Sequence, residues 1–138
     1  MEKRILTIFI DTSFIIALIN ERDQYHTQAL DLSDRYIDQA VAITDAVLLE
    51  IANSLARRYK NEAIEVIEQF LDSEDVEVIR LTPEIFDQAF ELYKTRPDKE
   101  WGLVDCVSFI VMQDRQIQEV LTFDQHFAQA GFQILSSK

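Results

Sequence analysis

Hydrophobic residues along this chain come in two alternating patterns. Short, nearly unbroken apolar runs recur, and between them lie longer segments whose apolar positions return every three to four residues. The short runs read as buried strands: Ile5 to Ile10, "VAI" at 41–43, "VEVIRL" at 76–81, "EVLTF" at 119–123, and "FQIL" at 132–135 as a last edge strand. The longer segments predict helices over Ser13–Asn20, Asp23–Asp38, Asp45–Tyr59, Asn61–Leu71, Pro83–Thr95, Leu103–Gln116 and Asp124–Ala130. Pro83 suits the first turn of its helix, with Thr82 as the cap. Strands alternating with helices predict an α/β fold, a three-layer α/β/α sandwich around a mainly parallel sheet of four to five strands.

That architecture directs attention to the residues at which strands stop. In open parallel sheets ligands bind outside the carboxyl ends of the strands. Asp11 ends the first apolar run in "TIFIDTSFIIAL", and Asp124 ends the fourth in "LTFDQHF". An unpaired buried carboxylate costs several kcal/mol, so each needs a compensating partner. Helix capping is the simplest one, contributing about 1 kcal/mol, and it is open to both residues.

Two further acids stand out by their place on helices. Advancing 100° per residue, Glu50 shares a narrow polar stripe with Ala46, Asn53, Ser54 and Arg57, beside an apolar face of Val47, Leu48, Ile51, Ala52 and Leu55. Leu49 flanks the stripe, which suits the edge of a cleft better than open surface. Asp105, in "WGLVDCVSFIVMQD", has no solvent face to explain it, because Ser108 is the only other polar residue from Leu103 to Met112. First-turn compensation by backbone N–H groups and the helix dipole is the plain alternative.

Four carboxylates at one rim would repel one another unless a cation neutralised them. Oxygen ligands without a Cys or His cluster suit Mg²⁺ or Mn²⁺, and metal-assisted phosphodiester hydrolysis is the chemistry that follows. Other chemistries find no support, for the chain carries no phosphate loop, dinucleotide-binding glycine pattern, nucleophile elbow or evident serine triad. His26 is expected to pack between helices, Cys106 to be a small core residue, and His126, although near the proposed site, to face solvent or pack. Arg57, Arg58 and Lys60 form the densest basic patch, read as a solvated helix end that could also guide a phosphate backbone.

Composition narrows the setting. The 138 residues suit a single domain spanning 1–138. Two Gly, two Pro and 48% hydrophobic residues argue against disorder. A lone cysteine excludes an intrachain disulfide. Asp11 interrupts the only leader-like stretch, and no apolar run reaches the roughly 20 residues of a membrane span. A soluble, unprocessed, cytoplasmic protein is therefore expected. The net charge of −12 opposes casual adhesion to nucleic acid, so work on RNA would need a metal ion or a local basic patch.

The order and spacing of these acids resemble those of the PIN-domain ribonucleases, in particular VapC-like toxins of type II toxin–antitoxin systems. The matching pieces are "FIDTSFIIALINERDQYHTQA", "TDAVLLEIANSL" and "LVDCVSFIVMQDRQIQEVLTFDQHFAQAGF". The resemblance implies an Mg²⁺- or Mn²⁺-dependent endoribonuclease with Asp11, Glu50, Asp105 and Asp124 as catalytic acids and metal ligands. Asp11 and Asp105 would be the principal ligands, while Ser13 and Thr122 would support the acids by hydrogen bonding. It also implies an RNA substrate, an antitoxin partner and frequent homodimers. Asp98 or Glu100, in "RPDKEWG", could replace Glu50 or Asp124 in the pocket. A phosphoacceptor receiver domain would need paired acids after the first strand and a Lys after the last main one, and an Asp-x-Asp phosphatase is excluded by Thr12 and Ser13 following Asp11. The remaining alternative is a non-enzymatic metal- or protein-binding module that retains the fold.

Overall fold

The structure is a computed structural model that describes residues 6–136. Strand β1 (Thr7–Ile10) buries Ile8, Phe9 and Ile10 in succession. Successive strand residues point to opposite faces, so both faces of the sheet are covered at this point. Four more strands follow: β2 (Ala40–Thr44), β3 (Val76–Ile79), β4 (Glu119–Leu121) and β5 (Gln133–Ile134). All pair in parallel, in the order β3-β2-β1-β4-β5. The expected α/β plan with a five-stranded sheet is therefore present, and the sheet is parallel throughout. Ile5, expected to open the first strand, lies outside the described residues.

Helices α1 (Thr12–Ile19), α2 (His26–Arg35), α3 (Asp45–Ser54), α4 (Lys60–Asp72), α5 (Pro83–Thr95), α6 (Leu103–Asp114) and α7 (His126–Gln129) connect and cover the strands. Thr44 and Thr82 cap α3 and α5 by accepting the N–H of Val47 and Ile85, a local signal legible in sequence. Pro83 stands at the start of α5 as expected.

Four helices are shorter than their periodicity predicts, α6 by only its last two residues. The helix expected over Asp45–Tyr59 ends at Ser54, and Tyr59 then takes a left-handed conformation (φ 65°) before α4 begins. Arg57 and Arg58 consequently lie in a connection rather than on a helix end. Helix α2 starts at His26, because the N–H of Tyr25 is captured by the Asp23 side chain at 2.8 Å. The helix expected from Asp124 begins two residues later, for the same kind of reason, described below.

The core is one continuous cluster centred on Phe9, Phe109 and Phe127. Phe109 meets Trp101 and Phe127 edge to face, each at 5.0 Å between ring centroids. Trp101 Nε1 donates to Gln129 Oε1 at 3.0 Å, which fixes the start of α6 against α7. Cys106 is buried, as expected, and His26 Nδ1 donates to the Ala17 carbonyl at 2.8 Å, joining α2 to α1. Among the described residues no helix is long and apolar enough to cross a membrane.

Strand order decides where a site can form. From β1 the chain steps outward to β2 and β3, and then returns to place β4 on the other side of β1. The connections therefore diverge above the carboxyl ends of β1 and β4 and leave a crevice there. Asp11 and Thr122 are the residues that immediately follow these two strands.

Candidate active site

Asp11 sits one residue past β1 and is 4% exposed. Its Oδ2 accepts from Thr122 Oγ1 at 2.7 Å, Ser13 Oγ at 3.0 Å and the Ser13 N–H at 3.4 Å. The backbone contact is long, so capping of α1 is the lesser part of what holds this carboxylate. Among the described residues every hydrogen bond to Asp11 reaches Oδ2, which leaves Oδ1 available. Burial pushes the Asp11 pKa up from 3.8 to about 6, with the hydrogen bond from Thr122 opposing and the charge of Asp105 adding to the rise. Ser13 and Thr122 occupy the supporting positions anticipated for them, and their hydroxyls lie 3.0 Å apart.

Asp105 stands in the first turn of α6, where its Oδ2 accepts the Gly102 N–H at 3.2 Å. The helix-start explanation of this carboxylate is thus partly correct, but it accounts for only one of its bonds. The same oxygen lies 2.9 Å from His126 Nδ1. Burial raises the pKa of Asp105, the bonds from His126 and Gly102 pull it back, and Asp124 adds to the rise. Asp124 Oδ1 accepts the His126 N–H at 2.9 Å and lies 3.3 Å from its Nδ1. This side-chain turn occupies Asp124 and delays α7 to His126.

His126 corrects the expectation drawn from sequence. Far from facing solvent or merely packing, it stands between Asp105 and Asp124. Burial of the imidazole works against its charged form, yet the bond to Asp105 and the charges of Asp124, Asp105 and Glu100 outweigh it, and its pKa moves upward. The missed signal was spacing: a residue two beyond a turn-forming Asp folds back over it.

One ligand atom from each of Asp105, Asp124 and His126 can be chosen so that all lie within 4.8 Å of one another. That separation fits donors around a single small cation, for which oxygen bonds run from about 2.0 to 2.6 Å. Asp11 and Glu50 are outside this compact trio. Asp11 faces the same crevice closely enough to feel the charge of Asp105. Glu50 comes from α3 and is tied in by Thr12 Oγ1, which donates to its Oε1 at 2.7 Å. Thr12 is a second residue that sequence reasoning did not single out; it directly follows Asp11, so its place beside the rim was legible.

The two substitute acids are separated by the structure. Asp98 is exposed and taken up by Arg96 at 3.1 Å and Lys99 at 3.8 Å. Glu100 is exposed, and it acts on His126 only through its charge. A further strand-end acid, Asp45, spends both oxygens on the Leu81 N–H, at 3.0 and 3.2 Å, and is structural.

The PIN domain family model matches residues 8–133. Over 125 residues the chain is 34% identical to the 23S rRNA-specific endonuclease VapC20 of Mycobacterium tuberculosis, covering 91% of this chain and 95% of that protein. The crystal structure of M. tuberculosis VapC20, described as a sarcin–ricin loop cleaving toxin, superimposes with a TM-score of 0.83 at 33% identity, covering 94% of this chain and 98% of that one. VapBC2 of Rickettsia felis, bound to a DNA fragment from its promoter, gives 0.68 at 14% identity over 94% of this chain and 98% of that one, a likeness of fold. Family model, sequence and fold agree over nearly the full length, and the chain belongs to the PIN domain family.

Proposed function

We propose that this protein is a divalent-metal-dependent endoribonuclease, the toxin of a toxin–antitoxin pair, with ribosomal RNA as its substrate. The observation that carries this reading is the convergence of Asp11, Asp105, Asp124 and His126 in the crevice above β1 and β4. The 34% identity to an rRNA endonuclease over most of both chains supports the choice of substrate.

PIN nucleases generally use divalent ions, and the acidic cluster can hold one. Asp105 and Asp124 would be its ligands, with the free Oδ1 of Asp11 completing the set; Mg²⁺ or Mn²⁺ suits these oxygens. Held there, such an ion supplies charge neutralisation at the scissile phosphate and an acidified water. The chain's own residues do the remaining work. Thr122 and Ser13 fix the Asp11 carboxylate, and His126 holds a proton on Nδ1 against Asp105. Thr12 occupies one oxygen of Glu50 and leaves the other to orient a water. Residues 1–138 act together as one domain on this reading. An antitoxin as inhibitory partner, a homodimer and a cytoplasmic site of action belong to the same proposal.

The test is cleavage of a synthetic sarcin–ricin hairpin RNA by the purified chain, with and without Mn²⁺. Cleavage should require the ion, vanish with chelator and be lost in Asp105→Asn while the variant stays folded. Retained cleavage in Asp105→Asn and Asp11→Asn together would overturn the assignment, and metal-induced stabilisation without any cleavage would favour a binding module.

A further inference from the structure

The acids that would hold a cation also repel RNA, and in a chain of net charge −12 something must hold the phosphate backbone near them. Helices α1 and α3, joined near the site by the Thr12–Glu50 bond, end beside a second feature. A pocket of about 250 Å³ is lined by Asn20, Arg22, Ser54, Arg57, Arg58 and Tyr59, with the buried Leu55 at its base. The break between α3 and α4, turning at Tyr59, carries Arg57 and Arg58 to this pocket. Asn20 shapes the opposite wall, since its Oδ1 accepts the Arg22 N–H at 3.0 Å.

What sets these arginines apart is that they line one pocket: among the described residues Arg35, Lys60 and Arg80 also have no acid within ion-pair distance, but they lie outside it. Lys94, Arg96, Lys99 and Arg115 each lie within ion-pair distance of an acid. Among the described residues no acid lies within that distance of Arg22, Arg57 or Arg58, although acids outnumber bases 25 to 13. Three exposed guanidinium groups left unpaired around one pocket present planar donors suited to phosphate oxygens.

We propose that this pocket is a phosphate subsite for the RNA backbone, gripping the substrate a few nucleotides from the cut. The proposal rests on the nuclease reading above and adds to it where the strand is held. Ser54 lies one turn, about 6 Å, beyond Glu50, and α1 is about 12 Å long from the rim to Asn20. At about 3.4 Å of rise per nucleotide, the gripped phosphates would stand roughly two to four nucleotides from the scissile one.

The experiment uses the Mn²⁺-loaded chain and the fluorescent sarcin–ricin hairpin, comparing wild type, the triple variant Arg22→Gln/Arg57→Gln/Arg58→Gln, and a control, Arg35→Gln/Arg80→Gln. The control removes two positive charges that also have no ion-pair partner among the described residues but lie outside the pocket. For the triple variant we expect KM to rise about tenfold or more with kcat within about twofold. The slope of log affinity against log salt should fall by about 2, as for three lost phosphate contacts. The control should leave KM unchanged. Unchanged KM and salt slope in the triple variant would overturn the subsite, as would an equal loss in the control, which would mean a global charge effect. Unchanged RNA binding combined with loss of a co-expressed antitoxin would also overturn it, and would assign the arginines to carboxylates of a protein partner. Hairpin binding without cleavage, lost in the triple variant, keeps the subsite and rejects the nuclease. A wild type that neither binds nor cleaves rejects both.

Discussion

Asp11→Asn should make the metal-free protein more stable, although it removes a residue placed at the heart of the site. The asparagine keeps an oxygen to accept from Thr122 and Ser13 and loses only the charge. In the wild type that charge is buried at 4% exposure, and its pKa stands at about 6 against 3.8 for an ordinary Asp. At about 1.4 kcal/mol per tenfold change in proton affinity, holding Asp11 ionised at pH 8 costs the folded state about 3 kcal/mol. With an unfolding entropy of about 2.1 cal/mol/K per residue, a chain of this length gains about 3 °C per kcal/mol, or about 10 °C in all. The direction with pH follows from the raised value. The protonated carboxyl makes its full contribution below about pH 4, and that contribution is lost as pH rises through about 6, so the advantage of the variant should grow over the same interval. Thermal unfolding in chelator at pH 4, 6 and 8 measures it, and Mn²⁺ should then reverse the order by stabilising the wild type more. A variant no more stable than wild type at pH 8, or one equally stabilised at pH 4 and 8, would refute the burial argument.

Other expectations follow from single contacts. On the proposed reading Asp105→Asn should lower kcat at least about 100-fold on hairpin RNA and abolish stabilisation by Mn²⁺, because it alters both a proposed ligand and the partner of His126. Thr12→Val removes the bond to Glu50, and should cost about 1 kcal/mol in denaturant unfolding while lowering kcat more than it raises KM. Ser108 Oγ is buried without a hydrogen-bond partner among the described residues, so Ser108→Ala should be neutral or stabilise by about 1 kcal/mol, seen as an unchanged or raised Tm. Burial pushes the Cys106 thiol up to about 11, so alkylation at pH 8 should be slow in the native protein and become fast only in denaturant.

Much of this protein was determined by local sequence. Short, largely apolar runs placed the strands, and their alternation with helical segments pointed to a parallel sheet. The same logic picked out Asp11 and Asp105, each a charge in an apolar setting, and Thr82–Pro83 at a helix start. What periodicity could not supply was where helices begin and stop: the side chains of Asp23 and Asp124 delay α2 and α7 through bonds that carry no hydrophobic signal, and a left-handed Tyr59 separates α4 from α3. Nor could it choose among the acids. Asp45 and Asp124 both follow strands, yet only the order of the strands sets one beside Leu81 and the other beside Asp105. His126 and the arginine pocket depend on tertiary structure for the same reason: each joins residues far apart in the chain, and only the reversal of winding between β1 and β4 and the packing of α1 on α3 bring them together. The aspartate of "TIFIDTSFIIAL" belongs to the same class, for it is held by Thr122, 111 residues away.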